Sequence, residues 1–443
     1  MSIKRAYPLL LSACALLAGC ATYATIDNQP LTAAAARQPG YDMTRAPADG
    51  RRDDITLVLA FSGGGSRAAA LAYGVLQELR DTRLAGSNER RLLDEVDAIS
   101  AVSGGSFTAA YYGLHGEATF RDFEAAFLRR DLSADVLQRI LNPLRWFTAE
   151  GRSAAAATLY DSTIFKGASF GDLQRRNGPL IVINASDLEG GTRFAFLQDF
   201  FDLLCSDLGS YPLANAVAAS SAVPVLFEPM VLENRAGCAP PRLPQPPAEA
   251  PQLQQVVDGL RSYADKQQRR YIHLADGGLT DNLGLRAFQE TIDLAGGLRA
   301  FLRKIDREPN GHVVVVSVDA SGNAGEGLGL DRRAPSMLRA ADISSDVQLH
   351  RYNAATLEQM HGSLQQWARE VSTPQRTVQS WLVTVALRDV ADPAQRTRLG
   401  KVPTSFDLSP GQVEELVAAG RALLRDNPEY RRLLGDLGAK PAQ

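Results

Sequence analysis

The chain has 443 residues and a formal net charge of −3, from 47 basic and 50 acidic side chains. That balance gives no basic surface for nucleic acid, and five histidines with four scattered cysteines offer no spacing that would hold a metal ion. Beyond residues 1–19 no apolar run is long enough to cross a membrane, and the length allows one large domain or two ordinary ones.

Lys4 and Arg5 precede an apolar run from Pro8 to Gly19. A basic start, a short apolar stretch and a small-residue end make a secretory signal over residues 1–19, too short to span a bilayer as a mature helix. Its last positions, Leu17-Ala18-Gly19-Cys20, resemble the lipobox of bacterial lipoproteins. The resemblance implies cleavage before Cys20, lipidation of its sulfur and acylation of the new amino terminus, and several acyl chains hold a protein on a membrane far better than one. Ala21 in place of an aspartate favours, by the same resemblance, the outer membrane with the protein facing the periplasm. An ordinary signal peptide with an incidental cysteine is the alternative. Export makes a disulfide the expectation for the two remaining cysteines, Cys205 and Cys238, against two separate buried thiols.

Residues 20–50 are small, polar and aperiodic and read as a lipidated tether. The main domain is expected over 51–320. Ile55 to Phe61 is a continuous apolar run, the pattern of a strand buried on both faces, and Ala68 to Leu79 reads as a helix after it. The unit repeats at "VDAISAVSGGSFTAAYYG", again strand, glycine turn, helix. A helical insertion over 121–173 carries the aromatic pair Trp146 and Phe147, and the proline-rich stretch 233–252 reads as a surface excursion. Further strands are expected in "GPLIVINASDL", "RRYIHLADGG", "GHVVVVSVDAS" and "QSWLVTVALRDV". A C-terminal extension, 321–443, is expected to pack on the core and to end in an amphipathic helix opened by Ser409-Pro410. Strands alternating with helices predict an α/β fold, three layers α/β/α around a mostly parallel sheet.

Of the three serines in "AISAVSGGS", Ser100 lies in the expected strand and Ser106 in the expected helix, whereas Ser103 falls at the junction before Gly104-Gly105. A serine on a sharp strand-to-helix turn exposes its hydroxyl, and the free N–H groups of the helix start face a developing oxyanion. The usual pattern is G-x-S-x-G, and Ala101 stands at its first position. Gly63, Gly64 and Gly65 follow another strand; their bare backbone makes an oxyanion hole, with Arg67 adding charge at the helix start. The same stretch formally satisfies a dinucleotide fingerprint, Gly63-x-Gly65-x-x-Ala68, but the next strand lacks the acidic residue that would hold ribose. Asp276, ahead of Gly277-Gly278, ends a strand and is expected at the same sheet edge, where a dry pocket raises a carboxylate toward usefulness as a base. A turn aspartate bonding nearby backbone is its bland alternative.

These blocks resemble the patatin-like phospholipase family. "FSGGGSRAA" is similar to its oxyanion loop, "AVSGGS" to its nucleophile elbow, "ADGGLTDNLG" to its Asp-Gly-Gly block, and "ANAVAASSAVPVLFEPM" to its Ala-Ser-x-Ala-x-Pro segment. The resemblance implies a Ser–Asp dyad, with Ser103 as nucleophile and Asp276 as base, and Gly63, Gly64, Gly65 and Arg67 in the oxyanion loop. It implies hydrolysis of acyl esters of phospholipids, lysophospholipids or related lipids, with no metal and no cofactor. The expected partners are a lipid or acyl-ester substrate and the membrane reached through Cys20. Two alternatives stand beside it. One is a Ser-His-Asp esterase running Ser103, Asp276 or Asp319, then His350 or His361. The other is a non-catalytic envelope lipoprotein that keeps the fold to bind lipid or a partner.

Overall fold

Isoleucine, leucine, valine and phenylalanine dominate the segments that become strands, and buried β-branched and aromatic side chains favour the pleated backbone. In the computed structural model, which describes residues 24–45, 54–84, 90–132, 134, 151–224, 226–322, 327–330 and 332–439, the strands are β1 (Gln29–Pro30), β2 (Ile55–Phe61), β3 (Val96–Val102), β4 (Leu180–Asp187), β5 (Thr192–Ala195), β6 (Ser206–Asp207), β7 (Met230–Glu233), β8 (Tyr271–Asp276), β9 (His312–Asp319) and β10 (Gln379–Ala386). The helices that matter below are α1 (Gly65–Asp81), α2 (Gly104–His115), α3 (Leu213–Ser220), α4 (Gly278–Asp281), α5 (Met337–Val371), α6 (Pro410–Asp426) and α7 (Pro428–Asp436). The signal, Cys20, and the pair Trp146 and Phe147 fall outside the described residues.

Eight strands form one sheet in the order β10–β9–β2–β3–β4–β8–β7, with β5 also paired to β4. From β10 to β4 every pairing is parallel. Alternate side chains serve opposite faces. Leu57, Leu59 and Phe61 of β2 and Val314 and Val316 of β9 join the core shared with α1, α2 and α6. Ala60 and Val315 point the other way, into a second core with Met360, Leu364 and Trp367 of α5. These are the three layers that the alternation of strands and helices predicts.

The sheet changes direction beyond β4. β8 runs antiparallel to β4, and β7 antiparallel to β8. Asp276 therefore does not reach the site as the far end of a parallel strand. β8 comes back over the edge of the sheet and stops with Asp276 opposite Ala185, one residue past the Val102–Asn184 pair that ends the β3–β4 ladder.

The C-terminal extension does more than pack on a finished core. It supplies β10, the edge strand beside β9, and α6 lies along α1. Gly74 and Gly420 let these helices touch backbone to backbone: a Cβ on Gly420 would lie 2.3 Å from the Leu71 carbonyl oxygen, and one on Gly74 would lie 2.2 Å from that of Val417. Arg425 clasps the buried Glu78 with two nitrogens, at 2.8 and 2.7 Å. The single C-terminal helix expected from periodicity is broken at Asn427-Pro428. Proline disfavours the helical conformation in the residue before it, and Asn427 instead caps α7, accepting from the Glu429 and Tyr430 amides.

The expected tether also differs. Within residues 20–50, the part from Asn28 to Tyr41 is held to the core. Asn28 and Tyr41 are buried; the Asn28 side chain bonds Ser206 Oγ and the Glu233 backbone, and the Tyr41 hydroxyl bonds both polar groups of Ile181. Small, polar composition hid two anchoring side chains. In the proline-rich excursion, Cys238 is disulfide-bonded to Cys205, with Cα atoms 5.5 Å apart.

Replacing Gly420 by alanine should force α6 off α1 and lower unfolding free energy by about 1–3 kcal/mol. Gly435→Ala, in α7 where an added Cβ meets nothing within 4 Å, should be neutral or stabilising by up to about 1 kcal/mol. Chemical denaturation of the two variants measures both signs.

Candidate active site

The site begins at a turn too tight for ordinary backbone. β3 ends at Val102, α2 starts at Gly104, and Ser103 between them has φ 48° and ψ −121°. A side chain in that region costs on the order of 1–3 kcal/mol, so surrounding structure must impose it. Two features do so. A Cβ on Gly104 would lie 1.9 Å from the Gly65 carbonyl oxygen, and one on Gly105 would lie 2.7 Å from that of Ser62. Only glycine lets the start of α2 press this closely on the glycine loop. The crowding follows the serine, which is why alanine at 101 is compatible with the turn.

The second feature is a hydrogen-bond chain. The Ser103 amide donates to Ser220 Oγ at 2.8 Å, and that hydroxyl donates to the Asn184 carbonyl at 2.6 Å. The Asn184 side chain in turn donates to Ser100 Oγ and the Ala101 carbonyl, at 2.9 and 3.1 Å. Ser106 donates to the Ser103 carbonyl. Ser100 and Ser106 are thus occupied, and Ser103 is the serine whose hydroxyl faces the cavity. Sequence reasoning missed Ser220 and Asn184. Ser220 lies within the quoted Ala-Ser-x-Ala-x-Pro segment, and Asn184 signalled itself only as an amide inside the apolar run "LIVINA".

Ser103 and Asp276 line the same cavity, the serine beside the carboxyl. Asp276 is nearly fully buried. Burial pushes its pKa up to about 6, while the Gly278 amide, 2.8 Å from Oδ1, and the Ser103 hydroxyl pull it down. Its backbone is pinned as well: the Asp276 amide donates to the Ala222 carbonyl and Gly277 to Ser220. Asp276 is therefore both the turn aspartate of the bland reading and the group that meets the serine.

The glycine loop contributes less widely than its sequence implies. The Gly63 amide donates to the Asn282 carbonyl at 3.0 Å, and the Ser66 amide to the Ser405 carbonyl at 2.8 Å. Among the described residues the Gly64 and Gly65 amides have no such partner, and Gly64, at φ 135°, lines the cavity with Ser103. The Gly104 amide, first of α2, has no intrahelical acceptor either and lies directly after the serine. Among the described residues the Gly64, Gly65 and Gly104 amides are thus without a backbone acceptor, whereas that of Gly63, which also lines the cavity, is taken by Asn282. Arg67 also lines the cavity. Its guanidinium donates to the carbonyls of Ala320 and Val402 and to Thr404 Oγ1, and burial lowers its pKa to about 10. Three backbone and hydroxyl oxygens hold it as a buried brace whose cation stands behind the loop.

No histidine joins the site. His350 Nε2 pairs with the Gly322 carbonyl at 2.8 Å, His361 with Gln365, and His312 with the Asp54 carbonyl at the opposite edge of the sheet. Asp319 is taken by Arg388 and Ser321. Among the described residues no group of histidine, cysteine and carboxylate side chains could hold a metal ion. The cavity over Ser103 has a volume of about 760 Å³, and Leu279, Leu349 and Tyr352 contribute to its walls. A cleft of this size and lining suits an apolar ligand approached by a few placed polar groups.

A family model described as patatin-like phospholipase matches residues 59–288. Among solved structures, the human GIVD cytosolic phospholipase A2 is similar at 14% identity with a TM-score of 0.41, over 86% of this chain and 62% of that one. The same human enzyme in complex with methyl gamma-linolenyl fluorophosphonate matches at 14% identity and a TM-score of 0.39, over 87% and 59%. VipD from Legionella pneumophila matches at 11% identity and 0.32, over 97% and 73%. The chain thus spans under two thirds of the human enzyme's length. No curated protein sequence matches significantly.

Because Ser103 is held at positive φ, Ser103→Gly should raise stability by about 1 kcal/mol, and Ser103→Ala, which keeps a Cβ, should not. Thermal and urea unfolding of the two variants distinguish this backbone effect from loss of the hydroxyl.

Proposed function

The chain belongs to the patatin-like phospholipase family, and on that premise we propose that it is a lipid acyl hydrolase working through a Ser103–Asp276 dyad. The observation that carries this reading is Ser103, on a strained turn, facing one cavity with a buried carboxyl whose pKa is raised to about 6. A carboxylate in water is too weak a base for a serine hydroxyl, and desolvation narrows that gap. In the proposed cycle Ser103 Oγ attacks the ester carbonyl carbon while its proton passes to Asp276. The tetrahedral oxyanion is met by the amides of Gly64, Gly65 and Gly104. Collapse expels the alcohol, which takes the proton from Asp276 and leaves an acyl-serine. Water then loses a proton to Asp276, attacks the acyl carbonyl and releases the fatty acid, and the proton returns to Ser103.

The histidine positions give the Ser-His-Asp alternative no support. The non-catalytic alternative is an outcome of the test. An alkyl fluorophosphonate should label the wild-type chain and not Ser103→Ala, and Asp276→Asn should lower kcat by about 10²–10⁴-fold. A folded wild-type chain inert to several such probes and esters would favour lipid binding instead. The working base is the ionised carboxylate, so kcat/KM should fall as pH drops through about 6, the value to which burial raises Asp276, and level off above it. A flat profile from pH 4 to 8 would remove Asp276 from the role.

We further propose that Cys20 carries a lipid anchor that holds the protein on the periplasmic side of the outer membrane. The resemblance of Leu17-Ala18-Gly19-Cys20 to a lipobox supports this. In a bacterial host, Cys20→Ser should move the protein from the membrane to the soluble fraction and abolish metabolic labelling with palmitate. Labelling that survives the substitution sinks the assignment.

A further inference from the structure

The contacts that hold the nucleophile turn from β4 do not end at Asn184. Arg193, on β5, stands opposite Ser186 in the β4–β5 pairing, so its side chain leaves the sheet on the face shared by Asn184 and Ser186. Its Nη1 donates to Asn184 Oδ1 at 3.1 Å. Its Nε and Nη2 both donate to Oε2 of Glu290, at 3.0 and 2.8 Å, on the helix Arg286–Leu294. Both side chains are buried, with 4% and 8% of their surface exposed, and the guanidinium carbon lies over the Phe200 ring, 5.6 Å from its centre.

This placement decides which way the Asn184 amide points. An asparagine side chain has one accepting end and one donating end, and a guanidinium can only donate. With Arg193 at Oδ1, Nδ2 must face β3, where it reaches Ser100 Oγ and the Ala101 carbonyl, two residues before Ser103. The Asn184 backbone carbonyl accepts from Ser220 Oγ, which accepts from the Ser103 amide. The same face of β4 serves the other reacting group, since Ser186 Oγ donates to the Asp276 carbonyl at 2.8 Å. A buried ion pair often adds no more stability than apolar side chains of the same volume. What this pair adds is direction: a charge-assisted donor held in one plane.

We propose that Arg193 is a positioning residue for the Ser103 nucleophile, kept in place by Glu290: the pair fixes the Asn184 amide, and Asn184 fixes the turn. The inference rests on the hydrolase reading and deepens it, because neither residue lines the catalytic cavity, yet together they set where Ser103 Oγ stands. Without Arg193 the Asn184 amide is free to turn, its accepting end then faces the Ala101 carbonyl, and the backbone at φ 48° relaxes toward an ordinary conformation. The nucleophile shifts while the walls that bind the ester stay where they are. The loss therefore falls on kcat rather than on KM.

The double variant Arg193→Met/Glu290→Met separates positioning from packing. It removes both charges, keeps much of the buried volume, and leaves Arg286 beside the Asp281 carboxylate. Its urea midpoint should stay at or above that of the wild type. Its kcat should fall about ten- to a hundredfold with KM within about twofold, and alkyl fluorophosphonate labelling should slow by the same factor. Exchange of the Ser103 amide, read by NMR against the amides of β2, should quicken about tenfold. A double variant with wild-type kcat overturns the proposal, and the pair is then structural only. Should the double variant not fold, Arg193→Lys carries the same test: an ammonium keeps Glu290 paired but lacks the planar fork that serves Asn184 as well. Its kcat should fall likewise, and an unchanged kcat overturns the proposal. If the wild-type chain is inert to probes and esters, the hydrolase reading falls, and the exchange rate decides the positioning by itself: faster Ser103 exchange in the variant sustains it, and an unchanged rate overturns it.

Discussion

Where Gly104 meets the Gly65 carbonyl, the start of α2 and the glycine loop approach so closely that a Cβ would sit 1.9 Å from the oxygen. Most of the site's arrangement follows from that contact. It draws together the amino ends of two helices, α1 and α2, whose first amides have no intrahelical acceptors. It leaves Ser103 no ordinary conformation, so the side chain is presented at positive φ rather than folded back as a helix cap. The cost of that backbone is met by neighbours that cannot relax: Ser220 and Asn184, both fully buried, tie the Ser103 amide to β4, the strand that also carries Asp276's partner.

The C-terminal third is part of this arrangement. Arg67 reaches from the glycine loop to the carbonyls of Ala320 and Val402, and the Ser66 amide donates to Ser405. Residues 402–405 therefore back the loop directly, and α6 backs the helix that follows it through the Gly74 and Gly420 contact. α5 supplies Leu349 and Tyr352 to the catalytic cavity. A boundary near residue 320 follows the family resemblance but cuts through one sheet and one pocket wall.

Much of the fold was legible because buried parallel strands write themselves as continuous apolar runs. "ITLVLAF" is β2 from its first residue to its last, and Ser409-Pro410 opens α6 as a cap and first-turn pair should. The less legible parts share a cause: their structure depends on single side chains meeting distant partners. Asn28 and Tyr41 make a packed segment out of a stretch whose composition reads as linker. Arg67 beside three glycines reads as a charge for an oxyanion, yet the carbonyls that claim it lie more than two hundred residues away. Asn427-Pro428 was readable as a helix break, but the apolar period running through it masked the signal.

The sequence by itself determined the local chemistry: a serine at a strand-to-helix junction, glycines where backbone must be bare, and an aspartate before two more glycines. These are properties of short segments, set by steric limits on φ and ψ and by the period of apolar side chains. Only the tertiary structure decided which of those groups meet. Asp276 reaches Ser103 because β8 runs against β4 and stops opposite Ala185, a pairing that no local pattern encodes. The same holds for Gly63 and Arg67. Whether an amide or a guanidinium is open to a substrate depends on which distant carbonyl has taken it, and that is a property of the folded chain.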